Sequence, residues 1–375
     1  MSAVERVLIV GGGIAGMALA IGLQRASIAA EIAEIDPDWR VYGAGITITG
    51  PTLRAFDRLG LLGRIEAEGF CSEAARICDQ NGNVILASRV AGQPLGPRIP
   101  NSGGILRPVL HRILSEATRA SGARVRLGMT ADGLEQNGDR VAVRFSDGSS
   151  ESFDLVVGAD GIHSRIREMA FPDAPKPAFT GQGCWRAVIA RPVEIDRPQV
   201  YVGGPVKAGV VPVSRDEMYL FVLQHVPDNP RMPEARWPEL LEEQLRGFGG
   251  VLGAIRDRLD ASARINYRPL EKLLVPPPWS QGRVVLIGDA AHATTPHLAS
   301  GAGLAVEDAL VLCELLVSES AIEAALSRFL QRRYERCRMV VENSAKLGEL
   351  EMQKSAPQQQ AELSRASMLT LAESI

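Results

Sequence analysis

Four short, largely hydrophobic runs stand out against longer segments of mixed polarity. Runs of this kind are typical of strands that are buried on both faces of a parallel sheet. They cover residues 7–10, 30–35, 153–158 and 283–287. Between the first two runs, residues 17–25 have the composition of a helix. This strand–helix–strand order predicts an α/β fold that begins with a Rossmann-like unit.

The polarity pattern changes between residues 171 and 273. Short alternating runs of apolar and polar residues are separated there by turn-forming clusters, which predicts antiparallel strands. The strand candidates are residues 184–190, 199–203, 209–213 and 218–225. Residues 238–259 are predicted to form a helix that is broken at its glycines. Residues 71–99 are expected to add strands to the same layer.

The C-terminal part of the chain is predicted to be helical. Residues 304–317 suit a buried helix, and a charged helical tail is expected from residue 318 onward. The tail carries a cluster of arginines, namely Arg328, Arg332, Arg333, Arg336 and Arg338. A solvated helix face is the preferred interpretation of this cluster, and a ligand site is the alternative.

The composition indicates a globular protein and argues against a nucleic-acid binder. The 375 residues, 46% of them hydrophobic, are enough for two or three domains. Lys and Arg total 41 against 44 Asp and Glu, so the net charge is −3 and the positive excess that phosphate contacts require is missing. Five cysteines without a C-x-x-C pair predict no disulfide framework, no metal and a cytoplasmic location. Residues 7–24 are uncharged, but their clustered glycines favour a tight turn over a membrane span or signal peptide.

The first hydrophobic run leads into a glycine motif of the form G-x-G-x-x-G. Gly11 allows a tight turn, Gly13 lets the backbone approach a pyrophosphate, and Gly16 lets the next helix pack closely on the strand. The start of that helix offers free N–H groups and a positive dipole end to phosphate. Glu34 ends the second strand, where a carboxylate accepts hydrogen bonds from ribose hydroxyls. The pattern predicts a dinucleotide site, with a purely structural turn as the alternative, and by itself it does not distinguish NAD(P) from FAD.

Two later strand candidates also end in motifs that suit a cofactor. Residues 153–158 lead to Asp160-Gly161, and residues 283–287 lead to Gly288-Asp289. Asp289 would lie at the carboxyl end of its strand, where open α/β sheets bind ligands. The small residues 301–303 leave the start of the following helix accessible, so its dipole would favour negative charge. Together with the glycine motif, these segments resemble the class A single-component FAD-dependent aromatic hydroxylases (the para-hydroxybenzoate hydroxylase-like flavoprotein monooxygenase family) over residues 4–345.

The resemblance implies a fold and a cofactor site. The fold is α/β, with a Rossmann-like FAD-binding domain, an inserted, mostly antiparallel β-sheet substrate domain and a C-terminal helical tail. The implied boundaries are residues 1–72, 100–170 and 273–320 for the FAD-binding domain, 73–99 and 171–272 for the substrate-binding domain, and 321–375 for the tail. The residues that it places at the FAD are Gly11, Gly13, Ile14, Ala15, Gly16, Glu34, Arg40, Gly45, Arg107, Asp160, Asp289, Gly301, Ala302 and Gly303.

The resemblance also implies an activity. The expected enzyme uses FAD, NADH or NADPH, and O2 to hydroxylate a small aromatic or heteroaromatic substrate through a flavin C4a-hydroperoxide. The cofactor supplies this chemistry, while the protein orients the ring and assists deprotonation of its hydroxyl. The expected partners are small molecules, without nucleic acid or membrane, and the chain is a monomer or a homodimer. A reductase or halogenase of the same fold and a non-catalytic FAD-binding module are the alternatives.

The candidate catalytic residues are Thr47, Tyr219 and His297. Tyr219 shares a strand face with residues 221, 223 and 225, and that face is either core or the wall of the ring-binding site. His297, in the loop before the glycines of the last motif, is a candidate substrate contact or a structural loop histidine. Thr47 stands where some relatives are expected to carry a His. Arg186 is either the partner of a substrate carboxylate or, preferentially, structural, and His111 is assigned to the surface.

Overall fold

In the part of the chain that the structure describes, the strands form two large sheets, of six and seven strands, and two small sheets of three strands each. The computed structural model describes residues 3–41, 43–89, 95–96, 98–259, 263–354 and 357–375. The α-helices are α1 (Ile14–Arg25), α2 (Gly50–Arg58), α3 (Leu62–Glu68), α4 (Arg107–Ala120), α5 (Arg165–Ala170), α6 (Trp237–Leu245), α7 (Gly250–Arg256), α8 (Asp289–His292), α9 (Gly301–Ser318), α10 (Ile322–Met352) and α11 (Pro357–Ala372). The strands are β1 (Arg6–Val10), β2 (Ala29–Glu34), β3 (Gly45–Thr49), β4 (Phe70–Ser72), β5 (Ala74–Cys78), β6 (Val84–Arg89), β7 (Ser102–Leu106), β8 (Arg124–Leu127), β9 (Ala131–Asn137), β10 (Arg140–Phe145), β11 (Ser150–Phe153), β12 (Leu155–Gly158), β13 (Ala178–Ala190), β14 (Gln199–Tyr201), β15 (Lys207–Pro212), β16 (Glu217–His225), β17 (Arg264–Lys272), β18 (Ser280–Gln281) and β19 (Val284–Leu286).

The six-stranded sheet contains the strands that the four hydrophobic runs predict. Its order is β18–β19–β12–β1–β2–β8, and all neighbours are parallel except β18 and β19. One predicted run is divided, because Asp154 separates β11 from β12 and accepts hydrogen bonds from the backbone N–H groups of Glu5 and Arg6. The carboxyl ends of β1, β2, β12 and β19 share one edge of the sheet. The glycine motif, Glu34 and the two later motifs therefore meet at that edge.

The seven-stranded sheet is mostly antiparallel, as the alternating pattern predicts. Its order is β17–β13–β16–β15–β14–β5–β6, and β5 pairs with β14 in parallel. One face of β16 carries Met218, Leu220 and Val222 into a core that includes residues of α6 and α7. The opposite face carries Tyr219 and Phe221 toward Ala44, beside β3. The α/β fold with an inserted antiparallel layer is confirmed.

The three-stranded sheet β3–β7–β4 connects the two large sheets. A Cβ on Gly104 of β7 would lie 2.2 Å from the carbonyl oxygen of Pro212, at the end of β15. Because the two backbones are this close, a side chain at position 104 is excluded. The small sheet therefore holds the seven-stranded sheet beside the carboxyl edge of the six-stranded one.

The arginines of α10 are divided between a buried and a solvated face. Arg333 is fully buried and pairs with Asp308 and Glu307 of α9, and Arg336 also pairs with Glu307. The predicted solvated face is therefore wrong for these two residues, because their acidic partners lie on a different helix. Arg338 fits the prediction, since it pairs with the exposed carboxylates of its own helix. No helix within the described ranges is long and apolar enough to cross a membrane.

Candidate active site

A cavity of about 750 Å³ lies at the carboxyl edge of the six-stranded sheet, beneath the seven-stranded sheet. It is lined by the start of α1, by β3, by the start of α4, by β13, β16 and β17, and by the loop that leads into α9. The predicted site residues on its wall are Gly13, Ile14, Ala15, Gly45, Thr47, Arg107, Tyr219, Asp289, Gly301 and Ala302. Residues from both large sheets therefore meet in one concave site, as ligand pockets commonly require.

The glycine motif makes room for a ligand on one side only. Gly11 has φ +107°, and a Cβ there would lie 2.4 Å from the carbonyl oxygen of Ala159. A Cβ on Gly16 would lie 2.0 Å from the carbonyl oxygen of Gly11, so the helix packs directly against the turn. In contrast, a Cβ on Gly13 would meet no atom within 4 Å. Gly11 and Gly16 thus serve the backbone packing, and the backbone at Gly13 is open to the cavity.

Glu34 stands beside this turn without lining the cavity itself. Its two carboxylate oxygens accept hydrogen bonds from the backbone N–H groups of Gly12, at 2.7 Å, and Asp36, at 2.8 Å. Trp39 donates from its indole nitrogen to the carbonyl oxygen of Gly12. Each carboxylate oxygen has a second lone pair for a ligand hydroxyl.

Two long helices begin at the cavity without a side-chain cap. The first turn of α1 follows Gly13 and that of α9 follows Ser300, and neither residue caps its helix through its side chain. The first N–H groups of a helix lack intrahelical partners and carry partial positive charge. Two such helix starts favour a ligand that is negatively charged at two positions.

The segment 301–303 forms the first turn of α9, whereas the sequence predicts a helix from residue 304. Gly301 and Ala302 line the cavity. Gly303 does not, because it faces α2, where a Cβ would lie 2.2 Å from the hydroxyl oxygen of Thr52. The geometry therefore gives Gly303 a packing role in place of the predicted cofactor contact.

Asp289 projects into the cavity from the end of β19. Although its side chain faces the open space, the surrounding protein raises the pKa of its carboxyl, and the positive charges of His292 and Arg107 oppose that rise. The preceding Gly288 has φ +59° and packs between Ala15 and Ala305. This contact brings the starts of α1 and α9 to either side of Asp289.

Two predicted cofactor residues point away from the cavity. Arg40 is exposed and its guanidinium pairs with Asp36 and Asp38. Asp160 caps α5, since its carboxylate accepts hydrogen bonds from the hydroxyl of Ser164 and from backbone N–H groups at the start of that helix. In this motif it is Gly161 that lines the cavity. The carboxylate of Asp160 is therefore used to hold the loop.

Tyr219 and Thr47 meet at the cavity wall. Their hydroxyl groups form a short hydrogen bond between β16 and β3, and the Tyr219 ring packs against Gly45. Burial raises the pKa of Tyr219, and the hydrogen bond from Thr47 and the charge of Arg186 only partly oppose it. Tyr219 is therefore protonated at neutral pH and acts there as a hydrogen-bond donor.

His297 is the catalytic candidate that does not reach the cavity. Its side chain is 0% exposed and lies behind the loop, where Nδ1 is 2.9 Å from the hydroxyl oxygen of Thr295. On its other side, Nε2 of His297 lies 3.3 Å from a carboxylate oxygen of Glu351, so the side chain points toward α10. In this structure His297 thus does not line the cavity, and its surroundings are those of the structural loop histidine that was the alternative.

Three further side chains of the cavity are the predicted cofactor residue Arg107, and Arg186 and His111, for which a structural and a surface role were expected. Arg107 and Arg186 reach the cavity, and the described part of the chain supplies no ion pair or hydrogen bond to either guanidinium. Burial and the charge of Arg186 lower the pKa of Arg107, while Asp289 raises it. The alternation of β13 signals Arg186, because Trp185 is buried on the opposite face. His111, assigned to the surface, lines the cavity at an edge-to-face contact with Trp39.

One buried cluster has the composition of a metal site. The ligand atoms of His292, Asp308 and Cys337 lie within 4.8 Å of one another. However, the Asp308 carboxylate already accepts hydrogen bonds from His292, at 2.6 Å, from the Gly288 backbone and from Arg333. These donors satisfy its charge without an ion.

Comparisons with known proteins agree with this geometry. The model of the family described as FAD binding domain matches residues 5–344. The chain is 32% identical over 381 residues to salicylate hydroxylase of Pseudomonas putida, covering 92% of this chain and 86% of that protein. It is 33% identical over 350 residues to aurachin C monooxygenase/isomerase of Stigmatella aurantiaca, covering 92% and 89%. The crystal structure of Klebsiella pneumoniae HpxO complexed with FAD and uric acid superposes with a TM-score of 0.82 at 25% identity, covering 99% of this chain and 93% of that one.

Proposed function

This chain belongs to the FAD binding domain family and is an FAD-dependent aromatic monooxygenase, and from that membership we propose that it hydroxylates a small aromatic acid that carries a ring hydroxyl. The observation that carries the proposal is the pair of arginines, Arg107 and Arg186, whose guanidinium groups enter the cavity without a described protein partner. An unpaired buried charge is costly, so a complementary anion is favoured beside it.

The residues of the cavity fit FAD. The open backbone at Gly13 and the uncapped start of α1 suit its pyrophosphate, and the oxygens of Glu34 suit a ribose. Asp289 would hold the sugar-alcohol side of the cofactor, and the uncapped start of α9 would face the ring that becomes negatively charged on reduction. When bound, FAD supplies the redox chemistry, taking electrons from NADH or NADPH and activating O2.

The substrate would lie between β3 and the seven-stranded sheet. Arg186 is the natural partner of its carboxylate, since Arg107 already interacts electrostatically with Asp289. Tyr219 and Thr47 would orient the ring by hydrogen bonds. Because Tyr219 stays protonated, it donates to the ring hydroxyl and does not serve as its base. Salicylate hydroxylase and HpxO are named for, or crystallised with, acidic ring compounds of this kind.

The test is a screen of hydroxybenzoates and hydroxypyridine carboxylates against their methyl esters. We expect NADH or NADPH oxidation that an acid stimulates, with a product that is heavier by one oxygen atom. KM for the ester should be about ten-fold or more above KM for the acid, because the ester loses a charge-assisted hydrogen bond that contributes about 1.5–3 kcal/mol. Stimulated oxidation without a gain of oxygen would favour the reductase alternative.

Arg186→Met gives the matched test of the carboxylate partner. It should raise KM for the acid by about ten-fold or more and leave KM for the ester unchanged. Arg264→Met is the control, since this arginine is exposed on β17 of the same sheet and pairs with Glu217. If the ester is the better substrate of the wild-type enzyme, the proposed acid is wrong.

A further inference from the structure

A second cavity, of about 170 Å³, lies on the opposite side of the loop that precedes α9. Thr295 lines both cavities, so this loop is the wall between them. The second cavity is polar for its size. Its lining includes Thr180, Gln182, Lys272, His297 and Glu349.

A chain of polar groups runs from this wall into α10 and out to β15. The hydroxyl oxygen of Thr295 is 2.9 Å from Nδ1 of His297, and Nε2 of His297 is 3.3 Å from one carboxylate oxygen of Glu351. The other oxygen of Glu351 is 2.5 Å from Nζ of Lys207, whose side chain is 31% exposed. The chain therefore connects the main cavity, through buried groups, to a residue in contact with solvent.

Hydrogen bonding is incomplete in the middle of this series of polar groups, between His297 and Glu351. Nε2 of His297 and the facing oxygen of Glu351 are both buried, and no group in the described ranges makes a well-aligned hydrogen bond to either. Lys207 and His297 nevertheless lower the pKa of Glu351 to about 2, against the effect of its burial. The ionised carboxylate of Glu351 thus faces Nε2 of His297. Nδ1 of the same imidazole faces Thr295, in the wall of the main cavity. The two ring nitrogens of a histidine in this position can exchange a proton between two sides.

We propose that Thr295, His297 and Glu351 form a proton route that carries the ring-hydroxyl proton of the substrate from the main cavity to the second cavity. The proposal rests on the proposed function, which requires a hydroxyl that is deprotonated during the reaction. It supplies the acceptor that Tyr219 cannot provide, and it gives the buried His297 a role without substrate contact.

The transfer conserves protons and changes no oxidation state. The substrate hydroxyl, directly or through a water, gives its proton to the hydroxyl oxygen of Thr295, and Thr295 passes its own proton to Nδ1 of His297. The imidazolium that forms is stabilised by the Glu351 carboxylate and loses its Nε2 proton toward the second cavity. The neutral imidazole that remains carries its proton on Nδ1, and a ring flip or proton exchange with water restores the tautomer that can accept again from Thr295. Lys207, Lys272 and Glu349 are the other charged groups that surround it.

The route predicts that the effect of His297→Gln depends on the acidity of the substrate. With a hydroxyl that titrates near the ordinary phenol value of about 10, the variant should hydroxylate about 10- to 100-fold more slowly at neutral pH. With halogenated analogues whose hydroxyl is already ionised at that pH, the difference should fall below about two-fold, since no proton has to leave. An equal defect across the series would overturn the route, because a merely structural histidine would slow every substrate alike.

A second measurement uses neither NADH nor O2. The holoenzyme is mixed with a phenolic ligand in a stopped-flow instrument, and the appearance of phenolate absorbance is followed. His297→Gln and Thr295→Val should slow this phase about ten-fold or more, whereas unchanged rates in both variants would refute the route. If the wild-type enzyme forms no oxygenated product, the proposed function fails, but this measurement still decides the proton route.

Glu351→Gln and Glu342→Gln are the matched pair on α10. Glu342 is exposed and pairs with Arg338, so its substitution should leave phenolate formation unchanged. Glu351→Gln removes the charge that stabilises the imidazolium and should slow phenolate formation, with the defect shrinking for the acidic analogues. The proposal fails if both variants slow phenolate formation equally, or if Glu351→Gln is equally slow with the ionised analogues. The slower rate would then come from a change in α10 and not from the loss of the carboxylate.

Discussion

At the scale of single residues, Asp289 combines a fixed position in the cavity with a perturbed pKa. It is fixed between the starts of α1 and α9 by the packing of Gly288, and the surrounding protein raises the pKa of its carboxyl although the side chain is open to the cavity. A carboxyl group in this position gains hydrogen bonds when a ligand with hydroxyl groups enters the cavity.

Asp289→Ala should therefore weaken FAD binding. The expected loss is about 10- to 100-fold, because a hydrogen bond to a charged group contributes about 1.5–3 kcal/mol. The measurement is a titration of the apoprotein with FAD, followed by quenching of flavin fluorescence. Asp139→Ala is the control, since that side chain is 97% exposed and pairs with Arg283. Equal FAD affinity in the two variants would remove Asp289 from the cofactor site.

For single residues, the spacing of a motif predicts where two backbone segments pack closely. It predicts the direction of a side chain less well. Gly11 and Gly16 have no room for a side chain, because each lies against another backbone segment. The glycine motif predicts this close packing. Asp160 and His297 also lie in motif segments, but the cap of α5 and the contact with Glu351 of α10 hold their side chains away from the cavity. Those directions depend on contacts with α5 and α10, which no local pattern encodes.

Among the elements, the start of α9 packs closely on α2 because position 303 has no side chain. Gly303→Ala places a Cβ 2.2 Å from the hydroxyl oxygen and 3.1 Å from the Cβ of Thr52 on α2. Alanine favours the helix by up to about 1 kcal/mol, but overpacking costs about 1–3 kcal/mol, so the variant should be less stable. Urea denaturation at saturating FAD measures the difference.

The control for this substitution is Gly63→Ala in α3. A Cβ there would meet no atom within 4 Å, so the substitution should be neutral or slightly stabilising. Adding Thr52→Ala to Gly303→Ala should recover part of the loss, since it removes the nearest atom. No recovery, or an equal loss at Gly63, would show that helix propensity and not the α2–α9 contact controls the stability.

Most elements follow from periodicity, and the exceptions have physical causes. The break between α6 and α7 falls at the glycines, as predicted, because these residues stop one helix and start the next. The alternation of apolar and polar residues does not predict strand β17, because this segment contains several charged residues and Pro269. Such a sequence is tolerated because β17 is an edge strand, where unpaired backbone positions and polar side chains face outward.

At the scale of the whole molecule, a network of charges connects the cofactor loop to the end of the chain. Asp308 accepts from the Gly288 backbone and pairs with Arg333, which also pairs with Glu307. Glu307 in turn pairs with Arg336, which donates to the carbonyl oxygens of Thr370 and Leu371 at the end of α11. The network crosses helices that are distant in sequence, so the arginine pattern alone could not predict it.

The network predicts unequal effects for two neighbouring arginines of α10. Arg336→Met removes a bidentate partner of Glu307, which is 2% exposed, and two donors to α11. We expect a loss of about 3 kcal/mol in the free energy of unfolding, because the buried Glu307 then keeps only Arg333, which it shares with Asp308, and α11 loses its two donors. Arg338→Met removes only surface pairs and should cost less than about 1 kcal/mol.

The pH dependence of the stability of Arg336→Met distinguishes the loss of the charge interaction with Glu307 from the loss of packing. The pKa of Glu307 is lowered from 4.5 because Arg333 and Arg336 outweigh its burial. A carboxylate with a lowered pKa contributes stability above its unfolded pKa and loses it as the pH falls through the folded one. The deficit of Arg336→Met relative to the wild type should therefore narrow as the pH falls below 4.5 in urea denaturation at saturating FAD. A deficit that stays constant with pH would instead assign the loss to the donors at α11 and to the packing of the arginine stem.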